Sequence, residues 1–211
     1  MNPEPGTRPS VFVIGDSISI DYGPHLARAL GWRAAYARKD GEDLARRDLD
    51  VPAGANGGDS GMVLRYLEAR AAAGDLHPDL LVVNAGLHDI KRASADAPAQ
   101  VPLERYSANL LALVGLCRRS GWRLAWVRTT PVIDQVHNAA KVSFLRFAAD
   151  QAAWNAAADA VMAAARVPSA DLDGLTRALG GAELFRDHVH YIPEICRDQG
   201  RWLAGWICAQ L

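Results

Sequence analysis

Four short stretches of the 211-residue chain hold side chains of the kinds that serve as nucleophile, base and hydrogen-bond donor. Ser17 follows the β-branched and aromatic run VFVIG and an acid, Asp16, and precedes a helix-compatible stretch. A Ser or Asp there is an ordinary helix cap, because its side chain accepts hydrogen bonds from the free N–H groups of the first turn. The other reading of Ser17 is a nucleophile held at the carboxyl edge of a sheet. Gly57 and Gly58 stand in a turn-rich loop, and Asn84, Gly86, His88 and Asp89 close a continuous apolar run. In RDHVHY, Asp187 and His190 are three residues apart, so carboxylate and imidazole can meet in a turn, whereas His188 points away. Ser17, His190 and Asp187 can thus form a nucleophile, a base and an orienter.

Such chemistry needs the four stretches on one edge of a scaffold. SVFVIG (10–15) reads as a buried strand, GPHLARALG (23–31) as a short helix closed by glycine, and WRAAYAR (32–38) as a second strand. Residues 39–61 are polar and glycine-rich, and long for a structureless connection. Ser60 opens a helix with Met62, Val63, Tyr66 and Leu67 on one apolar face. PDLLVVNAG (78–86) is the clearest strand; PLERYSANLLALVGLCRRSG is an amphipathic helix, and WRLAWVRTTPV (122–132) a further strand. An alanine-rich helix is expected from about Lys141 to Ala165, then an extended piece near VPSADLDG, then a loop and a closing helix. This alternation predicts one α/β domain over residues 1–211 with a doubly wound parallel sheet, in which ligands bind outside the carboxyl ends of the strands.

The same residues resemble the motifs of the SGNH, or GDSL-type, hydrolase superfamily, in order and over nearly the whole chain. Gly15-Asp16-Ser17 matches its first motif, the glycine of NGGDSG its second, and Asp187-His188-Val189-His190 its last. The resemblance favours Gly58 over Gly57 as the second-motif glycine. The third motif departs: most members have Gly-x-Asn-Asp, and here it is Gly86-Leu87-His88-Asp89, a form that a subset of the superfamily shares. A neutral imidazole keeps one N–H donor and can replace the amide of asparagine. It would also bring pH dependence, since an unperturbed histidine has a pKa of roughly 6.5; the plainer reading is a satisfied buried histidine.

The resemblance implies a flavodoxin-like three-layer α/β/α sandwich with a central parallel sheet of about five strands, and a serine esterase working through an acyl-enzyme. Ser17 would attack the ester carbonyl, His190 would take its proton, and Asp187 would hold the imidazole. The oxyanion would be met by the backbone N–H groups of Ser17 and Gly58 and by His88. Asp16 and Asp89 are expected to be structural. No cofactor is implied, and the expected substrates carry short acyl groups, such as acetyl, on a carbohydrate or small molecule.

Composition narrows the alternatives. Half of the residues are hydrophobic, 22% are charged and the formal net charge is -1, so no excess of positive charge is available for a nucleic acid. No apolar run reaches the roughly 18 residues of a membrane span, and MNPEPGTRPS lacks the apolar core of a secretory signal; the expected location is cytoplasmic. Cys117, Cys196 and Cys208 are expected to be reduced core residues. The six tryptophans lie at positions suited to the core. RTTPV is expected to form a turn, and Asn155 and the DQVHN loop are expected at the solvated surface, with contact to the substrate as the alternative for each. Two other functions compete: a metal-dependent hydrolase in which Asp16, His88, Asp89, His188 and His190 converge on a cation, and a non-catalytic binding module on the same fold.

Overall fold

The structure, a computed structural model, describes residues 8–140 and 143–211. The first seven residues of the segment read for a secretory signal, and the Lys141 start expected for the alanine-rich helix, lie outside them. Strands β1 (Ser10–Ile14), β2 (Ala35–Arg38), β3 (Leu80–Val83), β4 (Leu124–Val127) and β5 (Ser169–Ala170) form one parallel sheet in the order β2-β1-β3-β4-β5. β3 and β4 are buried at every position, which explains their unbroken apolar runs LLVV and LAWV. A parallel sheet covered on both faces has no polar side to alternate with.

Among the described residues eight α-helices flank the strands: α1 (Ser17–Leu30), α2 (Glu42–Ala45), α3 (Ser60–Ala73), α4 (Leu103–Ser120), α5 (Asp134–His137), α6 (Ala148–Ala165), α7 (Leu172–Leu179) and α8 (Pro193–Cys208). α1, α7 and α8 pack together as one layer and α3, α4 and α6 as the other. The result is a flavodoxin-like α/β/α sandwich. Its chain connections diverge between the neighbouring strands β1 and β3, the point at which such sheets open a crevice. Gly15 and Asn84 follow those two strands, and the Asn84 N–H donates to the Ile14 carbonyl (3.0 Å).

Several boundaries differ from the sequence reading. α1 starts at Ser17 instead of Gly23, because the Asp16 carboxylate accepts the Ile18 N–H (3.0 Å) and nucleates the helix earlier. Pro24 is therefore inside the helix and leaves the Ile20 carbonyl without its usual donor. Arg46 supplies one, its Nη2 donating to Ile20 O at 3.1 Å. α6 starts at Ala148 because Leu145 and Arg92 exchange backbone hydrogen bonds (2.8 and 2.9 Å) as an isolated antiparallel bridge. α7 replaces the end of the extended piece expected near VPSADLDG, because Asp171 caps a helix that begins at Leu172.

α8 lies directly against α1. A Cβ on Gly200 would stand 2.7 Å from Leu26 N and 2.8 Å from Tyr22 O, so only glycine permits this approach. Trp122, Trp126 and Trp154 are core residues and Trp202 and Trp206 are half-buried, but Trp32 is 58% exposed, contrary to expectation. The cysteines are free thiols, and burial pushes those of Cys117 and Cys196 up to about 12.

Candidate active site

Because Asp16 takes the capping role, Ser17 is the first residue of α1 and its hydroxyl is not needed to start the helix. The hydroxyl instead meets His190, with Oγ 2.8 Å from Nε2. His190 Nδ1 lies 2.9 and 3.0 Å from the two oxygens of Asp187. The spacing of three works because the carboxylate also accepts the backbone N–H groups of Val189 (2.9 Å) and His190 (2.8 Å), which wraps the loop around it. Burial pushes the Asp187 pKa up, but the hydrogen bonds from the His190 ring and from the two amides outweigh this and hold it well below the usual carboxylate range. An ionised carboxylate only accepts, so the imidazole hydrogen lies on Nδ1 and leaves Nε2 bare toward the Ser17 O–H. The loop is closed at its neck by the isolated bridge between Phe185 and Tyr191, with Arg186 N–H donating to His190 O (2.9 Å).

The other half of the site is a set of donors. The Ser17 N–H, in the first turn of α1, has no hydrogen-bond acceptor among the described residues. His88 is 1% exposed, and its Nδ1 has no partner among the described residues. Burial, then the positive charges of Lys91 and Arg146, push its pKa well below the ordinary value. The pH dependence expected of an unperturbed imidazole is therefore not carried over: His88 is neutral near pH 7 and keeps a single N–H.

Gly58 has φ +72°, and a Cβ there would stand 2.6 Å from Met62 Sδ and 2.9 Å from Pro52 Cβ. Its own loop requires glycine. The Gly58 N–H is not free, however: it donates to Asn56 Oδ1 (3.0 Å), while the Gly57 N–H donates to the Gly15 carbonyl (2.8 Å). Asp89 points away from this set, both of its oxygens accepting the Ser60 N–H at 3.0 Å at the start of α3.

His188 turns away from Ser17, with Nε2 2.9 Å from Asp50 Oδ2 and Nδ1 2.9 Å from His137 Nδ1. The five groups of the metal reading are thus dispersed: among the described residues no three His, Cys, Asp or Glu side chains are placed to share a cation. His137, expected at the surface in DQVHN, is fully buried. Asn155 is also buried, and its amide holds the Thr129 backbone (3.0 Å to N, 2.8 Å to O), fixing the RTTPV turn. Sequence reading missed Asp50 and Arg146. Arg146 is buried, donates from Nε to the Leu87 carbonyl (2.7 Å), and is held down to about 10 by burial. Neither residue follows a strand, and the doublet of histidines in HVH was the only sequence signal near either. A cavity of about 870 Å³, lined by Asp50, Pro52, Lys91, Gln100, Ser143 and Phe144 among others, adjoins the site through Asp50 and Lys91; Ser17 and His190 do not line it.

Fold and sequence together define a carboxylic ester hydrolase of the α/β class. The chain belongs to the GDSL-like lipase/acylhydrolase family, whose profile matches residues 13–195. Among solved structures, the fold is similar to that of a lipase/acylhydrolase from Enterococcus faecalis (TM-score 0.69, 18% identity, covering 96% of this chain and 97% of that one). It is also similar to a carbohydrate acetylesterase from Sinorhizobium meliloti (TM-score 0.67, 16% identity, 97% and 100% covered) and to an acetyl xylan esterase (TM-score 0.66, 13% identity, 96% and 99% covered). No curated protein matches the chain in sequence.

Proposed function

We propose that the chain is a serine esterase that removes short acyl groups, acetyl foremost, from a carbohydrate or another small polar alcohol. The observation that carries this reading is the series Ser17 Oγ, His190 Nε2, His190 Nδ1 and Asp187, with neighbouring atoms 2.8 and 2.9 Å apart. Ser17 attacks the ester carbonyl while His190 Nε2 takes its proton, and Asp187 stabilises the imidazolium that results. The negative charge on the carbonyl oxygen meets the Ser17 N–H at the positive end of α1 and the N–H of neutral His88. The Gly58 N–H joins them by sharing or giving up its bond to Asn56. His190 then returns its proton to the leaving alcohol, and water releases the acyl group by the same steps in reverse.

The alcohol side of the reading is supported by the cavity beside the site, where the Asp48 carboxylate, the Gln100 amide and the Ser143 hydroxyl suit the hydroxyl groups of a sugar. The neighbours that act on acetylated carbohydrates point the same way. The experiment is a panel of nitrophenyl esters of increasing chain length run beside acetylated sugars, with wild type and Ser17→Ala. Activity highest on acetyl esters and abolished in Ser17→Ala supports the proposal. Residual turnover in Ser17→Ala, or fluorophosphonate labelling at Ser19 or Ser60 in place of Ser17, overturns it.

A further inference from the structure

His188 stands between the two residues of the Asp187–His190 pair, yet it makes its own hydrogen bonds in the opposite direction. Its partners come from distant segments: Asp50 from the connection that follows α2, and His137 from α5. The direction of each bond follows from the atoms. His137 Nδ1 lies 3.3 Å from the His188 carbonyl oxygen and 2.9 Å from His188 Nδ1. A carbonyl only accepts, so His137 Nδ1 carries the hydrogen and His188 Nδ1 is the acceptor. His188 must then carry its hydrogen on Nε2, which is the atom facing Asp50 Oδ2 at 2.9 Å. Asp50 itself is held in place by Lys91, whose Nζ donates to the Asp50 carbonyl at 2.9 Å. The Phe144 ring packs against both histidines, with centroids 5.6 Å from His137 and 6.3 Å from His188.

We infer that the chain His137–His188–Asp50 is a positioning device, which fixes the loop that carries Asp187 and His190 and thereby sets the distance from His190 to Ser17. The inference rests on the proposed roles of those three residues. The loop has no regular secondary structure between its neck at Phe185 and Tyr191 and the start of α8. Its tip is tied down on one side by His188 and on the other by Arg186, which reaches Asp21 Oδ2 (2.9 Å). Neither Asp50 nor His137 hydrogen-bonds to Ser17, Asp187 or His190 among the described residues; both are tied to the loop through His188, and the Asp50 carboxylate also faces His190 through its charge. Misplacement of a base by about 1 Å costs on the order of 100-fold in rate. Loss of the chain should act by that route and leave substrate binding alone.

The test uses Asp50→Asn, His188→Gln and the double variant, each checked for a wild-type circular dichroism spectrum and a cooperative melt. Two rates are measured: kcat on a nitrophenyl acetate, and phosphonylation of Ser17 by a fluorophosphonate. Each single variant should lower both rates by about 10- to 100-fold with KM within twofold, and the double variant should be no slower than the slower single one. Additive losses, unchanged rates, or a raised KM at unchanged kcat overturn the inference; the last would make Asp50 a substrate-binding residue of the cavity it lines. If His188→Gln does not fold, Asp50→Glu carries the test, since the longer acid should restore part of the rate lost in Asp50→Asn, and no recovery overturns the inference. A wild type whose Ser17 is not phosphonylated at all rejects the esterase mechanism itself, a result distinct from all of these.

Discussion

His88 is buried where the sequence reading expects an oxyanion donor, and its surroundings give that expectation a sharp test. If its N–H meets the oxyanion, His88→Ala should lower kcat by roughly 100- to 1,000-fold with little change in KM, the loss seen when one such donor is removed. His88→Asn should recover part of the rate, because an amide also donates. Since burial keeps His88 neutral, the acid limb of the pH–rate profile should lie at the same pH in His88→Asn as in wild type. A shift of that limb, or near-normal turnover in His88→Ala, would assign His88 to packing. Residues such as Asp187 and His190 were legible in the sequence because their contact is local, three positions apart. Asp50 and His188 are 138 positions apart, and no spacing or periodicity announces a pair that only the fold brings together.

At the scale of the elements, helix ends were misread where a cap and a neighbouring feature competed. Asp16 caps α1 so that it begins at Ser17, whereas Gly23 and Pro24 further on look in the sequence like a better beginning. The strands were legible for the opposite reason, since burial on both faces leaves a continuous apolar run with no competing period. Two element contacts lend themselves to measurement. Gly200→Ala would force α8 off α1, at a cost of about 1–3 kcal/mol for overpacking. Denaturant melts should show that loss, and ester hydrolysis should fall as well although Gly200 is ten residues from His190, because α8 follows the loop that holds it.

Asp89, at the start of α3, gives a pH dependence. Burial raises it to about 7 from 3.8, so between these values the folded chain keeps a proton that the unfolded chain has lost. Its contribution to stability is present below about pH 4 and is lost as the pH rises through 7. Asp89→Asn keeps an oxygen for the Ser60 N–H and does not titrate. Its melting temperature should therefore improve relative to wild type as the pH is raised from 4 to 8.

For the molecule as a whole, the parallel sheet order and the two helical layers follow from the alternation of apolar runs and amphipathic segments, while the number of short helices does not. α2 and α5 are four residues each, too short to leave a period, and they are set by the loops they interrupt. The pairing of Ser17 with His190 spans 173 positions, and it is made when α8, which follows His190, lies on α1, which begins with Ser17. That arrangement has a kinetic consequence. A contact of such long range forms late, because the entropy of closing the intervening chain is lost before the contact returns anything. In refolding from denaturant, far-ultraviolet ellipticity should therefore recover first and ester hydrolysis last, with the rate of regained hydrolysis reporting the docking of α8. Coincident recovery of both signals would mean that the two outer helices meet as early as the rest of the chain collapses.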